Sequence, residues 1–303
     1  MNYSNILSKL PCGLRIQRLI RTITAELVFP QCSEPGHYYS PIPSRKDLQA
    51  DRKRIFERGI TPPEVELNET QQMDLLNELV GLGKQVSLEQ SPNSSNRYYI
   101  DNAFFNYADA IVLATLMLRF SPKQYIEIGS GFSSALALDI REKYNLDETF
   151  FTFIEPFGER LRSLLRPTDI ERATILEMRV QDVSDDVFSK LQRNDFLFVD
   201  SSHLAKVGSD LNDILFRVLP LLKPGTIIHF HDIFWPFEYP ENWVMKGRSW
   251  NEAYLLHAFL SNNNKYKVLL FSDYLVSKNP EIWTQLVSRA HSIEPSSLWL
   301  QKM

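Results

Sequence analysis

Tyr125-Ile126-Glu127-Ile128-Gly129-Ser130-Gly131-Phe132-Ser133-Ser134 is the stretch that decides the fold. It opens as a short apolar, β-branched run of the kind that forms a buried parallel strand, and the run closes on an acid and two glycines. From Ser133 to Ile140 the chain continues with Ala135, Leu136 and Leu138 spaced as the inward face of a helix. The reading is strand, tight turn, helix. Glycine serves where the backbone takes positive φ or where a ligand approaches the main chain, and the free N–H groups of a helix start favour a polar or anionic group. The turn is therefore a candidate ligand cradle. A dinucleotide fingerprint would have Gly or Ala where this chain has Ser134, and a Walker loop would need a lysine that is absent here.

Working outward, residues 102–120 carry Phe105, Ala108, Ile111, Val112, Thr115 and Leu116 at helical spacing, stopped by Ser121-Pro122. Downstream, apolar runs at 150–154, 173–178, 196–199 and 226–230 alternate with amphipathic segments. One of these places Leu211, Ile214, Leu215, Val218 and Leu219 on a single helix face. That rhythm predicts an α/β fold, a Rossmann-like sheet wound on both faces. Further strands are expected at 266–271 and 298–300, with a helix at 281–290 between them. Ser249-Trp250-Asn251-Glu252 has the spacing of a capping box. The loop from Phe234 to Trp243, rich in aromatics, is expected to line an acceptor pocket together with Tyr38 and Tyr39.

Upstream, Pro30, Pro35, Gly36, Pro41 and Pro43 predict an extended arm, followed by helical patterns at 45–58 and 69–80, the second with Asn68 as N-cap. A polar turn at 91–96 marks a boundary. The expected organisation is a helical and extended lid subdomain over 1–100 and a main domain over 101–303. In the first 28 residues Lys9, Arg15, Arg18 and Arg21 interrupt every apolar run, so no signal-peptide core forms, and the segment reads as a helix packed on its own domain. No window approaches the length of a membrane span. Across 303 residues the net charge is −4, which gives no general attraction to nucleic acid or anionic membrane. Two cysteines, Cys12 and Cys32, cannot build a disulfide framework or a Cys-type zinc site, so a reducing, cytoplasmic setting is expected. Nothing in the chain decides whether it self-associates as a homo-oligomer.

Open α/β sheets bind ligands at the carboxyl ends of their strands. Here those ends deliver Glu127, Gly129 and Gly131, then Glu155, then Gln181-Asp182, then Asp200 with His203 close behind, then His231-Asp232. One acid after a strand is a cap or a turn residue. Five such strand ends in succession describe a site.

Together, Glu127-Ile-Gly-Ser-Gly131, Glu155, Asp182, Asp200 and Leu221-Leu-Lys-Pro-Gly225 resemble the class I S-adenosylmethionine-dependent methyltransferases over residues 102–303. The resemblance implies a seven-stranded sheet with its last strand inserted antiparallel. It also implies S-adenosylmethionine as cofactor, bound by Glu127, Gly129, Ser130 and Gly131 with the two glycines against its methionine part, Glu155 on the ribose hydroxyls and Asp182 at the adenine. An acidic crevice suits a sulfonium and opposes a pyrophosphate. Asp200 with Asp232 is similar to the metal-dependent O-methyltransferases of the catechol type, which bind magnesium there. In that branch asparagine follows the second acid, whereas Ile233 follows here, so His231 or His203 would complete the metal set. Methyl transfer to a hydroxyl, of a small molecule or a glycan, requires a base; His203 and His231 are the candidates, with Asp200 orienting the acceptor. His229 shares a strand face with His231 and reads as a core histidine. The alternatives are an NAD-linked oxidoreductase and a cofactor-binding interaction protein without catalysis.

Overall fold

Strand β1 (Gln124–Ile128) lies at the centre of the fold, with β2 (Phe150–Ile154) and β3 (Ala173–Leu176) on one side. On its other side follow β4 (Phe196–Val199), β5 (Ile227–Phe230), β7 (Leu298–Lys302) and β6 (Tyr266–Phe271). The computed structural model describes residues 33–57, 64–287 and 294–303. Strands β1 to β5 pair in parallel, and β7 runs antiparallel between β5 and β6. This is the α/β sheet expected, with its last strand inserted in reverse.

Two compact units divide the described residues: one holds 33–57 with Val244–Ser249, the other holds the sheet. In the sheet unit α1 (Glu69–Gly83), α2 (Tyr107–Phe120), α3 (Phe132–Lys143) and α4 (Glu159–Leu164) are followed by α5 (Asp185–Ser189). Helix α6 begins at Asp210–Asp213 and continues through a π turn, Ile214–Val218, into Leu219–Leu221; α7 (Glu252–Leu260), α8 (Ser272–Lys278) and α9 (Pro280–Leu286) follow. All four β4 residues are buried, and so are ten consecutive residues of α2, which is a core helix apolar on all sides. Asn106 caps α2 by accepting from the Asp109 N–H at 3.0 Å.

The boundary near residue 100 is not where the compact units divide. Helix α1, expected with the lid, belongs to the sheet unit: Leu76 and Leu79 are fully buried, and Gln72 accepts from the Phe271 N–H at 2.7 Å, which ties α1 to the end of β6. Asn68 does not cap it. It takes φ of 52° and turns its amide to the Glu66 carbonyl at 3.3 Å. In the first unit the predicted helix over 45–58 is two short helices, Arg45–Ala50 and Arg52–Phe56, broken at Asp51. The reading of residues 1–28, with Cys12 and Cys32, lies outside the described residues. Among the described residues no helix is long and apolar enough to cross a membrane.

Candidate active site

The strand order reverses between β1 and β4, and in open α/β sheets that reversal opens a crevice at the carboxyl ends. The turn after β1 closes against the end of β4. Gly129 takes φ of +86°, and a Cβ there would stand 1.6 Å from the Asp200 carbonyl oxygen. The Gly129 N–H donates to the Ile154 carbonyl at 3.0 Å, and the Asp200 N–H donates to the Ile128 carbonyl at 2.9 Å, so the turn is bonded to both neighbouring strands. Gly129 is thus required by the close packing of two backbones, and it also lines the cavity above the turn. Gly131 is different: the nearest atom to a Cβ built there is Arg160 Cδ at 3.4 Å, and the position opens to the crevice. Ser134, the residue that spoils a dinucleotide fingerprint, accepts the Gly131 N–H at 3.0 Å and caps α3.

Beneath this turn Glu127 is wholly buried. Its Oε1 accepts from the Ser133 hydroxyl, its Oε2 has no partner, and burial lifts the carboxyl to about 8. Ser130 is buried and its hydroxyl donates to the Glu127 carbonyl at 3.4 Å. A cavity of about 260 Å³ opens above, lined among others by Gly131, Glu155, Asp200, Ser201 and Arg160. Glu155 is set in place by the Phe157 N–H, which donates to its Oε1 at 2.8 Å. Asp182 does not join them. It is held at the surface by a two-pronged pair with Arg179, at 2.9 and 3.0 Å, which keeps its carboxyl below the usual range.

Where β4 and β5 end, two residues other than glycine take positive φ, His203 at 58° and Asp232 at 57°. Such backbone is sparsely populated and persists where surroundings enforce it. The surroundings here are three carboxylates on one imidazole. His203 donates from Nδ1 to Glu252 Oε2 at 2.7 Å, and its Nε2 lies 3.3 Å from Asp200 Oδ1 and 3.9 Å from Asp232 Oδ2. The Trp250 ring covers it at 4.3 Å, and the Asn251 N–H donates to its carbonyl at 3.2 Å. Burial opposes the imidazolium, but Asp200 and Glu252 outweigh it and raise His203 to about 10. Burial likewise opposes charge on Asp200, yet His231 and His203 hold its carboxyl below the usual range. Burial raises Asp232. His231 stands with Nε2 3.7 Å from Asp232 Oδ1 and with Nδ1 buried and unpartnered.

Among the described residues no group of three His, Cys, Asp or Glu is arranged to hold a metal ion. The expected set of Asp200, Asp232 and His231 is not assembled because the His203 ring faces both carboxylates, in the space a cation would take. The residues present do not fit a divalent ion. His203 also changes role: a histidine that keeps its proton to about 10 is an acid and a positive charge near neutral pH. Burial opposes charge on His231, but Asp232 and Asp200 outweigh it and move it in the same direction. His229 is a core residue, its ring 3.7 Å from that of Phe198 and 4.6 Å from Trp299, and burial holds it neutral.

Much of the aromatic loop covers the core instead of lining the crevice. Phe237 and Tyr239 are buried, the Phe237 ring lies 5.0 Å from His257, and the Tyr239 hydroxyl accepts from the Ala253 N–H at 3.1 Å. Tyr38 and Tyr39 belong to the other unit and are exposed, with rings 4.2 Å apart. The residue sequence reasoning missed is Glu252. Its spacing from Ser249 reads as a capping box, but α7 begins with no side-chain cap and Glu252 goes to His203. A carboxylate buried at a helix start would have been the signal, and burial is not visible in spacing.

Residues 126–233 match the family described as a methyltransferase domain. An uncharacterized protein of Archaeoglobus fulgidus is 33% identical over 176 residues, spanning 55% of this chain and 75% of that protein. Among solved structures, the Podospora anserina methyltransferase PaMTH1 bound to S-adenosylhomocysteine aligns with a TM-score of 0.41 and 14% identity, over 85% of this chain and 94% of its own. The O-methyltransferase TomG of Streptomyces achromogenes, in complex with S-adenosylmethionine, aligns with a TM-score of 0.38 and 14% identity, over 79% and 91%. The chain belongs to the class I S-adenosylmethionine-dependent methyltransferases. The reading as an NAD-linked oxidoreductase falls with that assignment.

Proposed function

We propose that the enzyme methylates a hydroxyl oxygen, of a small molecule or a sugar unit, and that His203 supplies the positive charge that activates it. The observation carrying this reading is the His203 side chain, buried against Asp200, Asp232 and Glu252 beside the cofactor crevice. Asp200 favours the cationic end of the cofactor, Gly131 leaves the main chain open to it, and Glu155 presents a fixed carboxylate to a diol. S-adenosylmethionine supplies an electrophilic methyl group on a sulfonium.

His203 acts on the acceptor. Its Nε2 lies 3.3 Å from Asp200, which lines the crevice, and an imidazolium there lowers the pKa of a hydroxyl placed against it. As the oxygen–carbon bond forms and the sulfur–carbon bond breaks, the hydroxyl proton passes to the Asp232 carboxylate, which burial has made more basic, and from there to water. Asp200 keeps the imidazole oriented. Glu252 positions His203 without meeting the acceptor.

Methyl transfer to a panel of phenols and sugar alcohols tests this reading. For His203→Asn the expected result is a fall in kcat of about a hundredfold, with S-adenosylhomocysteine binding kept within about twofold. Equal loss of both would place His203 in the cofactor site and sink the assignment.

A further inference from the structure

Arg160 is the second residue of α4, exposed at the mouth of the 260 Å³ cavity, and it is the one basic side chain among the described residues lining it. Its neighbours on the surface all find acids: Arg162 pairs with Glu177, Arg166 with Glu142 and Arg179 with Asp182. Arg160 makes no ion pair within 4 Å with any of the described carboxylates, and reaches Asp200, which lines the same cavity, only through its longer-range charge. Instead its guanidinium carbon lies 3.9 Å from the centroid of the Phe104 ring. Phe104 in turn stacks on Phe132, the first residue of α3, at 5.6 Å and 13°. A phenylalanine left 55% exposed thus holds a cation beside the glycine turn, where Arg160 Cδ is the atom nearest to a Cβ built at Gly131.

The cofactor explains such a cation. Its amino-acid end carries an ammonium and a sulfonium, which suit Glu155 and Asp200, and a carboxylate, which those acids repel. A guanidinium that is stacked, weakly hydrated and in contact with no acid is suited to take a carboxylate in two parallel hydrogen bonds. We propose that Arg160 binds the carboxylate of the cofactor's methionine moiety and that Phe104 keeps its guanidinium over the turn. The inference rests on the proposed reading of that turn as the cofactor cradle.

Calorimetry with S-adenosylmethionine and with decarboxylated S-adenosylmethionine, which lacks only the carboxylate, tests it on the full chain. The wild type is expected to prefer the complete cofactor by about tenfold or more. Arg160→Gln is expected to lose that preference by weakening the complete cofactor while leaving the decarboxylated one within about twofold. Phe104→Ala should produce a smaller loss in the same direction. An unchanged preference in Arg160→Gln, or an equal weakening of both ligands, would overturn the assignment. Binding of neither ligand by the wild type would overturn the cradle reading itself, and this inference with it. Thermal melting of each variant separates misfolding from lost recognition.

Discussion

The turn after β1 and the cluster at the ends of β4 and β5 face the same crevice but are built in opposite ways. The turn is local: Glu127, Gly129, Gly131, Ser133 and Ser134 lie within eight residues, and their bonds run among themselves or to the strands beside them. The cluster is assembled from afar. Glu252 meets His203 across 49 residues of chain, and Asp232 approaches it from the next strand. A local device is set by backbone geometry and tolerates little change in it. A distant one is set by charge and burial, and can be dismantled without unfolding the sheet.

Substitution within the turn should have the largest effect. Gly129→Ala drives a Cβ into the Asp200 carbonyl at a positive φ, and is expected to cost more than about 3 kcal/mol and leave little soluble protein. Gly131→Ala should fold, because Arg160 is flexible, and should show its loss in cofactor affinity instead. If urea melts put the two variants at the same midpoint, the distinction drawn between the glycines is wrong.

In the cluster, Glu252→Gln is expected to lower kcat by about a hundredfold while cofactor affinity holds within about twofold. A shift in the pH profile of kcat toward lower pH should accompany it, since His203 loses one of the carboxylates that hold it near 10. A purely structural role for Glu252 would move the melting temperature and leave that profile alone.

Smaller still is the pH dependence expected from Glu127. Its folded-state value of about 8 lies above the ordinary 4.5, so the folded protein keeps a proton that the unfolded chain has lost between those limits. Stability is therefore full below the ordinary value and falls as pH rises toward about 8. The ligand-free melting temperature should drop by several degrees over that interval, and Glu127→Gln should flatten the slope. An identical slope in the variant would mean that Glu127 ionises as an ordinary carboxylate.

At the bottom of the scale stand two near-absent effects. Asp182→Asn should change cofactor affinity by less than about threefold, because its carboxylate is engaged by Arg179 at the surface. Exhaustive chelation should leave turnover intact, because His203 stands between the two acids. Loss of activity on chelation, restored by magnesium, would reverse the reading of that cluster.

The alternation of apolar runs and amphipathic helices was enough to determine the sheet, its winding and the turn after β1, because strand periodicity, positive φ at glycine and the packing of consecutive elements are properties of short segments. It was also enough to bring Asp200 and Asp232 to neighbouring strand ends. It could not decide what stands between them. Ser249 to Glu252 carries a capping-box pattern, and only the folded chain shows Glu252 buried and turned to His203. Arg160 and Asp182 differ in the same way: both follow a strand, but one stacks on Phe104 at the cavity and the other is taken by Arg179 three residues before it. Which acid finds which base depends on burial and on distances across the chain, and those are fixed only when the core has closed.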